Sequence, residues 1–439
     1  MQCLGIKREA LSRVAVFSTI LSLNMLAFQI ADVVATAGFL KAVGTQSLLW
    51  LWAGTLLVSL VTTTVVGGLS DQLPRRKMLM YLVAIILGLD VLVGVLYVMS
   101  VASSAVYGVL YFVADQQYFL VPMIFWVLAN DVFPSAERKR AFPLVASGSV
   151  IAQIAGNAIV YGVSLKGTGI EGIHLLWLLA ISGLSLGAGL ALIVRKVDSP
   201  GEGGRTAASL IEGTLATTKM VRDYWRNLPI VRYLAFVTLV MEFVLLVIQY
   251  HFLQVVNATF GLNSLARVLS LFTTATIGVT TALQWFLTGR LLERVGLKQS
   301  FFVLPAMGVL SGILGGVWSG LAGAGGGQFV LQITRWAWDH PSHAAFQGML
   351  PEQRRGRITA FADSYVSTLG SLLACLVLGL VSSLAGVHGA AWMTAGLTLV
   401  ASSTALWASW RFRSAYDTSL LNWRMGRPKR RSVLDQLDL

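Results

Sequence analysis

The sequence predicts an all-α membrane protein of twelve transmembrane helices in two groups of six, and three observations carry that prediction. Of the 439 residues, 56% are hydrophobic and 12% charged. The mean hydropathy of +0.72 lies outside the range of soluble domains, which could not bury so much apolar surface. Apolar runs of roughly 18 or more residues recur along the chain, each long enough at about 1.5 Å per helical residue to cross a hydrocarbon core about 30 Å thick. The runs do not alternate: 91–99 is apolar throughout, and 236–248 is broken only by Thr238 and Glu242. A spanning barrel would need apolar and polar residues in turn.

In chain order the spans fall at 14–40, 47–70, 78–100, 106–133, 141–164, 173–194, 233–256, 268–289, 300–320, 325–349, 362–383 and 387–409. The first has basic residues before it and small residues at 35–37, as a cleavable signal has. Its apolar region nevertheless exceeds the roughly 7–15 residues of a signal peptide and carries Asn24, Gln29 and Asp32, so it reads as a retained helix. Spans two to six are parted by short polar breaks. The longest interruption follows the sixth, where 195–232 contains SPGEGGR and then an amphipathic stretch at 209–225. It divides the chain into an N-terminal six-helix half (1–194), a cytoplasmic linker (195–232), a C-terminal six-helix half (233–410) and a basic cytoplasmic tail (411–439). Span ten carries Gly325, Gly326, Gly327 and Pro341, which loosen helical hydrogen bonding and predict a bend. Asp339, His340 and His343 near that proline lack further ligands at metal-site spacing, so they read as polarity at the bend. Cys3 and Cys375 are the only cysteines, too few for a disulfide framework or a thiolate metal site.

The net charge of +13 invites a nucleic-acid reading, but position decides against it. With the N-terminus cytoplasmic, all but four of the 33 lysines and arginines fall before the first span, in alternate loops or in the tail. The exceptions are Lys41, Lys166 and Arg267 on the opposite side and Arg335 inside span ten. Such asymmetry places both termini in the cytoplasm, the membrane most simply being a bacterial inner membrane. The basic tail at 424–431 then meets anionic headgroups.

Two internal repeats follow. The loop after span two reads GGLSDQLPRRK and the loop after span eight GRLLERVGLKQ. The glycine lets helices approach closely, and an acid beside bases can form charge pairs that hold a gate shut. FPSAERKRAFPLVAS from Phe133 and LPEQRRGRITAFADS from Leu350 form a second pair, between spans four and five and spans ten and eleven. Parallel duplication of this kind is a transporter pattern.

The first repeat resembles the Gly-x-x-x-Asp loop of the major facilitator superfamily, with Gly67, Asp71, Arg75 and Arg76 in one copy and Gly289, Glu293 and Lys298 in the other. The chain further resembles the nucleotide transporters known as ATP/ADP translocases. WVLANDVFPSAERKRAFPLVASG, from Trp126 to Gly148, is similar to that family's Trp-x-Phe-Ala-Asn-Glu segment and the Glu-x-Lys-Arg after it, so Asn130, Asp131, Glu137, Lys139 and Arg140 match. Glu242 is similar to its seventh-helix glutamate, and Arg354, Arg355 and Arg357 to its basic loop before helix eleven. The likeness implies a major facilitator fold, alternating access, and a gate formed by Gly67, Asp71, Arg75, Arg76, Gly289, Glu293, Lys298, Glu137, Arg140, Arg354 and Arg357. The sequence departs from the family in helix one, where Ala31 precedes Asp32 in place of a lysine. A cation for phosphate is thereby lost, and a polyanion near the membrane centre needs charge compensation.

Seven acids lie within or at the edges of spans, Asp32, Asp90, Asp115, Asp131, Glu242, Asp339 and Asp363, against the single base Arg335. A central charge costs about 2.5 to 3.5 kcal/mol to insert, so such residues face a cavity or a partner. Spans one, four, seven and ten, which line the cavity in the resembled fold, carry most of them. Asp32, Asp115, Asn130, Asp131, Glu242, Arg335 and Asp339 are therefore the expected substrate-binding or ion-coupling residues, with Arg335 paired either to Asp339 on its own helix or to Glu242 across helices. Asp90 does not fit the cavity pattern and can hydrogen-bond a neighbouring helix. The expected partners are lipid, a proton and a small-molecule substrate, a nucleotide or another polar metabolite. No cofactor, metal or nucleic acid is expected, and no triad or phosphate loop suggests an enzyme. The alternative is a membrane scaffold or sensor that keeps the fold without transporting.

Overall fold

The computed structural model of the chain describes residues 8–69, 73–165, 173–197, 229–318, 320–348 and 365–425. The regular elements among them are helices: α1 (Arg8–Ala42), α2 (Thr45–Leu69), α3 (Arg75–Val98), α4 (Ser103–Val132), α5 (Ser135–Leu165), α6 (Ile173–Lys196) and α7 (Pro229–Thr259). α8 (Leu262–Leu283) runs through a π-turn at Gln284–Thr288 into α9 (Gly289–Val295). A short α10 (Leu297–Ser300) and α11 (Val303–Val317) follow. α12 (Leu321–Thr334) continues through a second π-turn at Arg335–Asp339 into α13 (His340–Gly348), and α14 is Ser367–Met425. Among the described residues nine helices are long and apolar enough to cross a membrane. Most extend a few residues past the apolar runs, because a helix does not stop where the hydrocarbon does. Gly44, at φ +98°, permits the tight turn between α1 and α2 that a side chain would strain.

The expected spans 362–383 and 387–409 fall on α14, which is one continuous helical element of 59 residues. Straight, it would be about 88 Å long, nearly three hydrocarbon cores. Its packing excludes a straight rod. Gly370 lies against the Leu239 carbonyl and the Glu242 Cβ of α7. Farther along the same element, Ser402 lies against Gly308 of α11, which Met241 of α7 also touches. Two positions that a straight helix would hold about 48 Å apart therefore meet neighbouring turns of α7. The element doubles back, and both of its arms lie near α7.

Four apolar cores explain how the helices associate. One gathers Val14 to Ala27 of α1 with buried faces of α3 to α6. Two smaller ones lie among α7, α11, α12 and the second arm of α14, and around Phe301, Phe346 and Phe412. These three stay within the N-terminal or the C-terminal group of helices. They occupy the end of the bundle that holds the start of α1, the proximal end. The largest core crosses between the groups at the opposite, distal end. It joins Ile30 to Leu40 of α1, Trp52 of α2 and Leu110 of α4 to Tyr250 and Val256 of α7, Leu265 of α8 and Leu378 of α14. Lys41 Nζ donates to the Asn257 carbonyl at 2.6 Å and Arg267 Nη2 to the Ser164 carbonyl at 2.8 Å, fastening that end further. Contact between the groups also runs through α2 against α14 and α7 and through α8 against α1 and α5, with Thr64 and Tyr365 hydroxyls 3.4 Å apart.

Candidate functional site

The polar centre of the molecule is assembled from helices that the sequence keeps far apart. On α12 the chain cannot continue as a regular helix, because Pro341 has no N–H to offer the Ala337 carbonyl four residues earlier. The helix widens into the π-turn Arg335–Asp339, and the released carbonyls find partners on α8. Thr288 Oγ1 donates to the Ala337 carbonyl at 2.7 Å, and Gln284 Nε2 donates to the Trp336 carbonyl at 2.8 Å. Both donors lie on the π-turn of α8, so the two irregular turns are bonded to each other. The bend expected in span ten is thus present as a π-turn, and span eight has a matching one.

Arg335 opens this turn and reaches α7, where its Nη2 donates to Glu242 Oε1 at 2.7 Å. The side chains of the pair retain 25% and 16% exposure. Of the two partners considered for Arg335, the structure gives it Glu242. Asp339 instead faces His343, with Oδ2 3.7 Å from Nε2. Trp336 stacks on His340 at 4.4 Å between ring centroids. Glu242 is further hemmed by the first arm of α14, since a methyl group at Gly370 would sit 3.0 Å from its Cβ.

The N-terminal helices present two carboxylates. Asp115 of α4 accepts from Ser59 Oγ of α2 at 3.2 Å and from Gln116 Nε2 at 3.4 Å; Gln116 also bonds Ser59 and Thr62. Asp32 of α1 lies within electrostatic reach of Asp115. One turn below this level Phe28 of α1 and Tyr118 of α4 pack with ring centroids 4.8 Å apart. Tyr118 lies within electrostatic reach of Asp32, Asp115 and Arg335, which links the two sets of charges. Aromatic rings lie distal to them. Trp52 Nε1 donates to the Tyr111 hydroxyl at 2.7 Å, and the Trp52 ring meets Tyr250 edge-on at 6.4 Å.

Glu242, Arg335 and Asp339 therefore come together, and Asp32 with Asp115 forms a second group linked to them through Tyr118, whereas Asn130 and Asp131 join neither. These two lie exposed at the proximal end of α4, about 24 Å along the helix from Asp115. Asn130 bonds the Trp126 carbonyl of its own helix, and Asp131 pairs with Arg75 at the start of α3. The rim charges hold the N-terminal helices to one another: Arg13 pairs with Glu137 at 3.2 Å, Arg76 Nη2 donates to the Val194 carbonyl at 2.5 Å, and Arg138 Nη2 donates to the Asn130 carbonyl at 2.5 Å. Arg140, Gly289, Glu293 and Lys298 lie on the same rim. Asp71, Arg354, Arg355, Arg357 and Asp363 lie outside the described residues, as do the side chain of Lys139 and the packing at Gly67. Asp90, which fitted no cavity, is 4% exposed and faces Ser182 and Gly183 of α6 inside the N-terminal group. Among the described residues no group of three or more His, Cys, Asp or Glu is placed to hold a metal ion. Sequence reasoning missed Tyr111, Tyr118, Trp52, Gln284 and Thr288. Tyrosines within charged spans were the available signal for the first two.

No protein-family model matches the sequence, and no curated protein sequence matches it. Solved structures match the fold over most of the chain. The nucleoside transporter NupG, in a mutant form, superposes with a TM-score of 0.68 at 13% identity, covering 92% of this chain and 100% of that one. The D-xylose-proton symporter gives 0.64 at 12%, covering 89% and 96%. The POT family transporter PepTSo gives 0.64 at 13%, covering 93% and 98%. The likeness is one of architecture and does not single out the ATP/ADP translocases that Trp126 to Gly148 resembles. The chain is a multi-pass integral membrane protein with the fold of major facilitator transporters.

Proposed function

We propose that the protein is a secondary active transporter that works by alternating access between two six-helix halves, with Glu242 as the proton-carrying group. The observation that carries this reading is the Glu242 and Arg335 ion pair at 2.7 Å. It is set on two C-terminal helices and shares Tyr118 with the acids of the N-terminal helices. A charge pair costs several kcal/mol per ion to desolvate, and a scaffold gains nothing from placing one between two of its membrane helices. In a transporter, a proton on Glu242 frees Arg335 for substrate, so proton and substrate each favour the other through the shared arginine. The apolar distal core with separate proximal cores is the arrangement of a molecule closed on one face. With both termini cytoplasmic, as the positive-inside rule indicates, the closed face is the outer one. The D-xylose-proton symporter, which shares this fold, supports proton coupling.

The substrate belongs to the polar metabolites, and nucleotides fit this centre poorly. Asp32, Asp115, Glu242 and Asp339 outnumber the single arginine Arg335, and Ala31 supplies no cation for phosphate. Uptake into proteoliposomes across a panel of nucleosides, sugars, amino acids, peptides and nucleotides, with and without an inward proton gradient, tests the proposal. Gradient-stimulated uptake of one class that Glu242→Gln abolishes is expected. If no solute moves while Glu242→Gln and Arg335→Gln leave the protein's role in cells unchanged, the scaffold reading replaces this one.

A further inference from the structure

The charges of the central space are divided into two poles, and the division identifies what the space can hold. On the N-terminal helices Asp32 and Asp115 lie within electrostatic reach of each other. Among the described residues no Lys, Arg or His forms an ion pair with either of them. Asp115 is oriented by Ser59 and Gln116, while Asp32 has no hydrogen-bond partner among the described residues. Two carboxylates within reach of each other in a low-dielectric setting are costly as anions unless one takes up a proton or a cationic group is shared between them. On the C-terminal helices the opposite pole is Arg335, with its charge occupied by Glu242. Counted at helical rise, Asp32 and Asp115 lie about 15 to 18 Å from the distal ends of their helices and Arg335 about 21 Å. The poles thus differ in depth by about one turn, with Tyr118 in reach of both.

Resting on the transporter reading, we propose that the substrate is a small zwitterion: its ammonium group is held by Asp32 and Asp115, and its carboxylate docks on Arg335 once Glu242 has accepted a proton. A simple cation leaves the guanidinium without an incoming partner, and an anion that reaches Arg335 must approach two carboxylates. A zwitterion satisfies both poles and adds no net charge to the membrane centre. Because the poles belong to different groups of helices, its two ends also draw those groups together, which is the step that alternating access requires. The Tyr118 hydroxyl lies within electrostatic reach of both poles and can bond a polar group in the middle of the molecule.

The test uses the full-length protein in nanodiscs. Thermal-shift titrations compare the common α-amino acids and the straight-chain ω-amino acids from glycine to 6-aminohexanoate with the alkylamine and carboxylate matched to each, and with uridine and D-xylose. At least one amino acid should stabilise the protein at concentrations where its matched amine and acid do not. Asp32→Asn and Arg335→Gln should each weaken that binding by about tenfold or more, as the loss of a charged hydrogen bond predicts. If Asp32→Asn fails to fold, Asp115→Asn carries the same comparison. Binding of the amine as tight as that of its amino acid overturns the proposal. So does binding of uridine or D-xylose that both carboxylate variants leave unchanged. Uptake of some other solute class by a protein that binds no zwitterion overturns the proposal and leaves the transporter reading standing, whereas failure to move any solute counts against the transporter reading itself.

Discussion

Replacing Glu242 with glutamine leaves Arg335 without its counter-charge, and the structure sets the size of the effect. The pair is separated by 2.7 Å, and the side chains keep 25% and 16% of their exposure. An exposed ion pair contributes about 0 to 1 kcal/mol, and breaking a fully buried one costs about 3 to 5 kcal/mol. A pair this enclosed lies nearer the second limit, so Glu242→Gln and Arg335→Gln should each destabilise the protein by about 2 to 4 kcal/mol. The double mutant removes both charges together and should lose about as much as one single, a coupling of about 2 to 4 kcal/mol. Reversible unfolding in mixed detergent and SDS micelles measures all four proteins. Losses that add to within about 0.5 kcal/mol would mean that the two residues do not sense each other, and the coupling step built on them would fall with that result.

Other consequences are as direct. Thr288→Val removes the donor to the Ala337 carbonyl that Pro341 leaves unpaired; in the same unfolding assay it should cost about 1 to 3 kcal/mol, whereas Thr288→Ser should restore most of the loss. Gly370→Ala places a methyl group against the Leu239 carbonyl, backbone that cannot rotate away. Overpacking of about 1 to 3 kcal/mol and impaired uptake should follow, and unchanged stability would show that α14 does not approach α7 this closely. ATP and ADP should give no calorimetric binding signal in the micromolar range; such binding, lost in Arg335→Ala, would show that one arginine suffices for a polyanion.

What the sequence made legible was what depends on composition and spacing. Hydropathy located the apolar helices, loop repeats pointed to a duplication, and intramembrane charge singled out Asp32, Asp115, Glu242, Arg335 and Asp339, because a charge in hydrocarbon is costly enough to need a reason. Partner choice was less accessible. Arg335 and Asp339 are four apart and could have paired on a regular helix, but the π-turn alters the register of that stretch, and nothing in the local sequence announces that Thr288, far along the chain, stabilises it. Asp131 carries the same charge as Asp115 on the same helix, yet it lies at the rim and bonds Arg75. Depth separates their roles, and the boundary at 133 gave only a coarse measure of it. Tyr118 and Trp52 were overlooked because an aromatic residue in an apolar span is ordinarily packing, and only the tertiary arrangement shows what their polar atoms face. The doubling back of α14 follows from packing on α7, a long-range contact with no local signature.

Alternating access itself is tested most directly at the distal seal, where Lys41 reaches the Asn257 carbonyl across the two groups of helices. Lys41→Cys and Asn257→Cys, introduced together in a protein whose Cys3 and Cys375 have been replaced, can be joined by a short bis-maleimide and assayed for uptake in proteoliposomes. The account predicts that joining the pair abolishes uptake, while each single cysteine treated with the same reagent keeps it. Full uptake by a protein shown to be completely cross-linked would contradict it, because substrate would then be crossing without the distal face ever opening.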